Sequence, residues 1–203
     1  MDNKINYQLE LDKIIKGLDG KKPSLLLHAC CAPCSSYCLE YLKEYFDITL
    51  FFYNPNISSQ EEFDKRFCEL KRLVKEMSLN IDIICPKYDP QEFLQKVKGY
   101  ESCPEGGDRC SICYALRLKK VCEYAEEKGF EYYCSTLSIS PHKNAQKLNT
   151  IGTALAKDKK VKHLPNDFKK KGGYLRSIEL SKEYNLYRQD FCGCEYSIRL
   201  KEK

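Results

Sequence analysis

Residues 25–42 read LLLHACCAPCSSYCLEYL: an apolar run, four cysteines within nine positions, two of them adjacent, then a helical pattern. The apolar run is short and follows a Lys-Lys-Pro break, which suits a parallel strand buried on both faces. Residues 35–46 carry the periodicity of a helix, with Ser35 or Ser36 as its N-cap. The thiols therefore occupy a strand-to-helix loop. In a doubly wound sheet, ligands bind beyond the carboxyl ends of the strands, so a nucleotide-binding chain keeps its phosphate loop here. Neither G-x-G-x-x-G nor G-x-x-x-x-G-K-[ST] stands in that place. Adjacent cysteines rarely pair with each other and their side chains diverge, so Cys30 and Cys31 are expected to serve two different partners.

Outward from this stretch, the chain alternates strand and helix. ITLFFYNP (48–55) reads as a second strand closed by Asn-Pro, and 58–79 as a helix opened by serine ahead of a Glu-rich turn. IDIICP (81–86) is a third strand and PQEFLQKVKGY (90–100) a short helix. Residues 110–129 form a strong helix ending at Gly129, 130–139 a fourth strand, and 143–159 another helix. An amphipathic helix over 1–20 precedes them. Residues 176–200 supply a helix, a short cysteine loop and a last turn. This order predicts an α/β fold, a parallel sheet with helices on both faces and a C-terminal helical, cysteine-bearing extension. With no repeat, linker or low-complexity segment, one domain over 1–203 is expected.

With 42% hydrophobic and 31% charged residues, the chain has the composition of a soluble globule able to bury a core. No stretch approaches the roughly 20 apolar residues of a membrane span, and the first residues lack a secretory apolar core, so the expected location is cytoplasmic with no membrane partner. Thirteen cysteines in a reducing compartment point to metal ligation rather than disulfides. The net charge of +5 is unevenly spread: Lys157–Lys171 holds seven lysines against two aspartates, which fits a phosphate-bearing partner.

Three thiol groups stand out: Cys30-Cys31-x-x-Cys34, Cys110-x-x-Cys113 and Cys192-Gly-Cys194. A C-x-x-C loop lets two thiolates reach one ion or one cluster. Cys110 and Cys113 lie at a helix start, where backbone N–H groups favour thiolate. Seven ligands divide most simply into four for a [4Fe–4S] cluster and three for a single metal with an open position. The expected division puts Cys30, Cys110, Cys113 and one of Cys192 and Cys194 on the cluster. Cys31, Cys34 and the remaining one hold the lone metal, which makes Cys31 and Cys34 catalytic. A structural zinc knot of two C-x-x-C pairs is the plain alternative, but it leaves Cys30 and the C-G-C pair without a task. Of the other cysteines, Cys38, Cys68, Cys85, Cys122 and Cys134 are expected as small buried hydrophobes, and Cys103 as an exposed thiol near the site.

Taken together, LLHACCAPCSS, EGGDRCSICYALRL, STLSISPHKN and RSIELSKEYNLYRQDFCGC resemble the QueH family of epoxyqueuosine reductases, over about Leu25 to Ser197. The resemblance implies a Rossmann-like domain of the adenine-nucleotide hydrolase type, holding a [4Fe–4S] cluster beside a single iron through C-C-x-x-[C/D], C-x-x-C and C-x-C ligands. Cys34 stands where some members carry aspartate, which leaves the lone metal's identity between iron and zinc. The implied reaction is the last step of tRNA queuosine synthesis, two-electron reduction of the wobble-position epoxide to an alkene. The implied partners are tRNA bearing epoxyqueuosine and an electron donor the sequence does not name. Under this reading, Arg109, Arg117, Arg176, Arg188, Tyr187 and His142 are candidates to bind the substrate, with Tyr37, Tyr114 and Tyr174 available to stack on bases. The lysines of 157–171 would contact backbone phosphates.

Three rivals stand on other grounds. A PP-loop tRNA thiolase would need S-G-G-x-D-S after the first strand, where CCAPCSS stands. A zinc protein that binds RNA without catalysis would hold zinc and no acid-labile sulfide. The cobalamin-dependent enzyme of the same pathway would show a C-x-x-C-x-x-C-x-x-x-C-P run, which is absent.

Overall fold

The computed structural model describes residues 5–197. Its centre is β1 (Ser24–His28), which pairs in parallel with β2 (Asp47–Phe51) on one side and β4 (Tyr132–Ser135) on the other. Two further parallel strands, β3 (Ile83–Ile84) and β5 (Lys162–His163), complete the order β3-β2-β1-β4-β5. Alternate residues of β1 enter two cores, which is why its sequence is apolar without alternation. Leu25 and Leu27 pack with Leu39 and Leu42 of α2 (Ala32–Leu42) and Leu70 of α3 (Gln60–Glu76). Leu26 packs on the opposite face with Leu118, Val121 and Ala125 of α5 (Asp108–Lys128). Helices α1 (Tyr7–Lys16), α4 (Pro90–Val97), α6 (Ala145–Leu155) and α7 (Gly173–Glu183) fill out the two layers.

Local chemistry sets the ends of these elements. Ser59 accepts from the Glu62 N–H to open α3, and Gly129, in the left-handed region at φ 75°, closes α5 as expected. Helix α2 begins three residues earlier than expected, at Ala32, because Pro33 is suited to a first turn. Ser35 and Ser36 are consequently inside the helix, donating to the carbonyls of Cys31 and Pro33 instead of capping it. Cys34 thus rides on the first helical turn. The fourth strand stops at Ser135, whose hydroxyl accepts from the Leu137 N–H and turns the chain into a 3-10 segment, Thr136–Ile139. Strand β5 lies within the lysine-rich stretch, where composition concealed it. Cys38, Cys122 and Cys134 are buried as expected, but Cys68 is exposed and Cys85 half-buried; Cys103 is half-buried, not exposed.

Helix α6 rests on β5 through Gly152. A Cβ added there would lie 1.8 Å from His163 Cδ2 and 2.0 Å from Nε2, inside any permissible contact. Gly152→Ala is therefore expected to destabilise the fold by about 2 kcal/mol or more, read as a lowered urea midpoint at unchanged slope.

Candidate metal centre

The carboxyl ends of β1 and β4 are the point where strand order reverses, and the thiols gather there. Beneath them lies a buried polar layer. His28, the last residue of β1, has Nδ1 2.8 Å from Ser135 Oγ and Nε2 2.9 Å from the Tyr53 carbonyl. The Tyr53 carbonyl can only accept, so Nε2 carries the proton and the Ser135 hydroxyl donates to Nδ1, with Arg117 Nε a longer 3.4 Å from Nε2. Complete burial, helped by the Arg117 charge, lowers the His28 pKa to about 3, so the ring is neutral. Arg117, on α5, is 1% exposed and donates to Asn54 Oδ1. Asn54 in turn donates to the Ala29 carbonyl, tying the end of β2 to the thiol loop. Burial by itself would lower the pKa of Arg117, and the nearby Cys113, Cys30 and Cys192 sulfurs more than reverse this.

Above this layer, the sulfurs of Cys30, Cys31 and Cys34 all lie within 4.8 Å of one another, and those of Cys30 and Cys31 are 3.7 Å apart. The neighbouring thiols therefore converge, where divergence was expected, and Cys30 joins Cys31 and Cys34 in one group. Hydrogen bonds from the Cys31 and Cys34 thiols, with Arg117 and Lys143 nearby, lower the pKa of Cys30 well below that of an ordinary thiol. Cys31 is pushed up to about 12 and Cys34 is raised as well, each chiefly by its bond to Cys30. Three sulfurs this close are a donor set that a thiophilic metal ion can join in place of their protons.

The second group forms between α5 and the C-terminal loop. Cys110 Sγ accepts from the Gly106 N–H at 3.2 Å, and Cys113 is buried against Cys194, Phe93 and Val97. Burial pushes Cys113 up to about 12 despite Arg117. The Cys192-Gly193-Cys194 loop is held from α3: Arg66 donates to the Cys192 carbonyl at 3.1 Å while paired with Glu62 at 2.6 Å. Gly193 has φ 108°, and a Cβ there would lie 3.0 Å from Arg66 Nη1 and 3.1 Å from Ile57 Cγ1, so the position favours glycine. Cys192 walls both an open pocket of about 230 Å³, which also contains Cys30 and Cys34, and a smaller one lined by Cys110, Cys113 and Cys194. All seven candidate ligands thus border one of two adjoining pockets or the Cys30–Cys31–Cys34 cluster.

Other candidates divide by burial. Arg188 and His142 line the larger pocket and are exposed. Arg109 is buried, donating to the carbonyls of Tyr100, Glu101 and Cys103, so it organises the loop ahead of α5. Arg117 belongs to the layer under the thiols. Arg176 is paired with Glu40 at 2.7 Å and with Glu179 at 3.1 Å. The Tyr187 hydroxyl lies against Glu62, with Lys65 Nζ 3.7 Å from its ring centroid. Tyr174 lines the larger pocket, Tyr114 is buried and Tyr37 stacks on Tyr41. Among the lysines, Lys157, Lys159, Lys160, Lys162 and Lys170 are exposed, while Lys169 donates to the Ser138 carbonyl and Lys171 pairs with Asp12. Sequence reasoning missed Lys143, whose Nζ lies 3.5 Å from Cys192 Sγ. Its signal was the S-P-H-K-N stretch after the fourth strand, where attention fell on His142.

A parallel sheet with this strand order, carrying thiols where its fold class binds nucleotide phosphates, defines an α/β protein whose donor set suits soft metals. The chain belongs to the QueH family: the family model described as "Epoxyqueuosine reductase QueH" matches residues 25–200. A relative of that name from Streptococcus pyogenes serotype M1 is 42% identical, covering 98% of this chain and 81% of its own. One from Thermotoga maritima is 33% identical, covering 86% of this chain and 90% of its own. Among solved structures, the U34-tRNA thiolase NcsA from Methanococcus maripaludis, described with its [4Fe–4S] cluster, superposes with a TM-score of 0.53 at 15% identity. It covers 95% of this chain and 67% of that one, a likeness of fold.

Proposed function

We propose that the chain is a cobalamin-independent epoxyqueuosine reductase acting on tRNA, removing the epoxide oxygen of epoxyqueuosine to leave the alkene of queuosine. The reaction consumes two electrons and two protons and releases water. The observation that carries this reading is the cluster of Cys30, Cys31 and Cys34 at the switch point of a QueH-family chain, with Cys110, Cys113, Cys192 and Cys194 lining the adjoining pocket. Those cysteines would hold a [4Fe–4S] cluster and one further metal ion, iron being the ion we propose. When bound, these groups supply single electrons and a Lewis acid for the epoxide oxygen.

The chain's own side chains prepare that chemistry. Arg117 and Lys143 place positive charge beside the sulfurs, which favours the thiolate form of Cys30. The neutral His28 and Asn54 fix the backbone from which Cys30 departs. The larger pocket admits the modified base, with Arg188 and His142 at its exposed wall and Tyr174 available to stack. The exposed lysines of 157–170 attract the tRNA backbone from further out. The electron donor is a separate partner, and the proposed setting is cytoplasmic. Among the described residues, no helix is long and apolar enough to cross a membrane.

The test is metal and sulfide analysis of anaerobically purified protein, followed by turnover with epoxyqueuosine tRNA and a chemical reductant. About five irons and four sulfides per chain, with loss of one oxygen from the tRNA nucleoside, is the expected result. Zinc without sulfide, and no change in nucleoside mass, would replace this reading with that of a zinc protein binding RNA.

A further inference from the structure

Lys143 is fixed by its backbone. Its N–H donates to the Ser140 carbonyl at 3.1 Å, and its carbonyl accepts from Lys169 Nζ at 3.4 Å. Lys169 also bonds the Ser138 carbonyl at 2.8 Å, so the turn between β4 and α6 is closed from a second side. Asn144 then caps α6 through the Lys147 N–H, which settles the direction of the chain after Lys143. The side chain leaves this turn inward. It lines the pocket of Cys30 and Cys34 and the pocket of Cys110, Cys113 and Cys194, and donates to Cys192, the cysteine those two pockets share. Glu105 is the carboxylate bordering both pockets; Arg66 and Arg188 also line the larger one, Arg109 the smaller, and Arg117 lies near Cys30, Cys113 and Cys192. Arg117 donates to Asn54 and lies against His28, Arg66 donates to the Cys192 carbonyl and Arg109 to carbonyls ahead of α5, whereas Lys143 Nζ donates to the Cys192 sulfur itself.

We propose that Lys143 is a positioning residue that sets the reduction potential of the metal centre, by holding an ammonium against Cys192 where the two thiolate groups meet. The inference rests on the metal-bearing reading above. Adding an electron to a centre ringed by thiolates adds negative charge in a partly desolvated site. A fixed cation at hydrogen-bond distance from a ligand sulfur stabilises the reduced form more than the oxidised one. An ammonium is suited to this because it donates to sulfur as a compact point charge.

The experiment compares native protein with Lys143→Met and Lys143→Arg. For each, iron and sulfide are quantified first, then the midpoint potential by dye-mediated titration, then tRNA affinity at fixed salt. Lys143→Met is expected to keep its iron and sulfide but to shift the one-electron equilibrium about tenfold toward the oxidised form, which is 59 mV downward. Lys143→Arg is expected to recover most of that shift, and tRNA affinity to be the same in all three. An unchanged potential in Lys143→Met overturns the proposal. So does loss of metal in both variants, which would make Lys143 a prop for assembly, or weakened tRNA binding at unchanged potential, which would make it a substrate contact. Native protein without iron or sulfide would overturn the underlying reading instead, so the two failures are told apart by the first measurement.

Discussion

Cys113→Ala is expected to strip the protein of its acid-labile sulfide and most of its iron, whereas Cys34→Ala is expected to remove about one metal ion and all turnover. Cys113 comes from the long helix α5 and is buried with Cys194, so its sulfur has no slack to be replaced by water. A cluster deprived of one thiolate in such a place has neither a substitute ligand nor room to shift. Cys34, on the first turn of α2, faces the larger pocket, and its group of three thiols is suited to one ion with an open position. The readouts are iron, sulfide and visible absorbance in anaerobic preparations, with turnover measured on the same samples. Sulfide retained in Cys113→Ala, or lost in Cys34→Ala, would refute this division. Cys30→Ala then settles the one ligand on which spacing and geometry disagree. Loss of sulfide would assign Cys30 with Cys110 and Cys113, and loss of one metal would assign it with Cys31 and Cys34.

Arg117→Leu is expected to cost about 3–5 kcal/mol, because it removes one side of a buried charge arrangement and leaves the other in place. Asn54 Oδ1 would lose its donor, and Cys30, Cys113 and Cys192 would lose a neighbouring cation. For a chain of this size the loss is roughly 10 °C in melting temperature, accompanied by reduced metal content. Arg117→Lys keeps the charge but not the planar fork, and should recover only part of both. A melting temperature within about 1 °C of native in Arg117→Leu would show that the guanidinium is not part of what holds the thiol loop to the sheet.

The strand and helix order was legible because β1, β2 and α5 each carry one dominant pattern, an apolar run or a long helical period with a glycine stop. The seven thiols could be singled out as candidates too, since few other purposes place cysteines in C-C-x-x-C, C-x-x-C and C-x-C spacing, and the fold brings them to adjoining pockets. What sequence could not supply was convergence. Only the fold shows that Arg117, an ordinary helical arginine by pattern, lies under the thiols and not on the surface. Strand β5 is two residues long and owes its pairing to Tyr132 and Tyr133, so no local propensity announced it. Lys143 looked like one more lysine in a basic chain, and its role follows from the turn that aims it inward. Arg109 and Arg176 were plausible phosphate ligands by type, but backbone carbonyls and carboxylates respectively already occupy them.

The grip of Arg66 on the Cys192-Gly193-Cys194 loop has a consequence for how the protein is made. Five of the candidate ligands, from Cys30 to Cys113, leave the ribosome well before the last two, and the final pair reaches its place only after docking on α3. During that interval the early thiols are reduced, clustered and incomplete, a state open to oxidation and to the wrong ion. On the proposed ligand set, loading with iron and sulfide would be a late event, gated by closure of a loop some 160 residues downstream of the first ligand, and would draw on a supply of both after synthesis rather than during it.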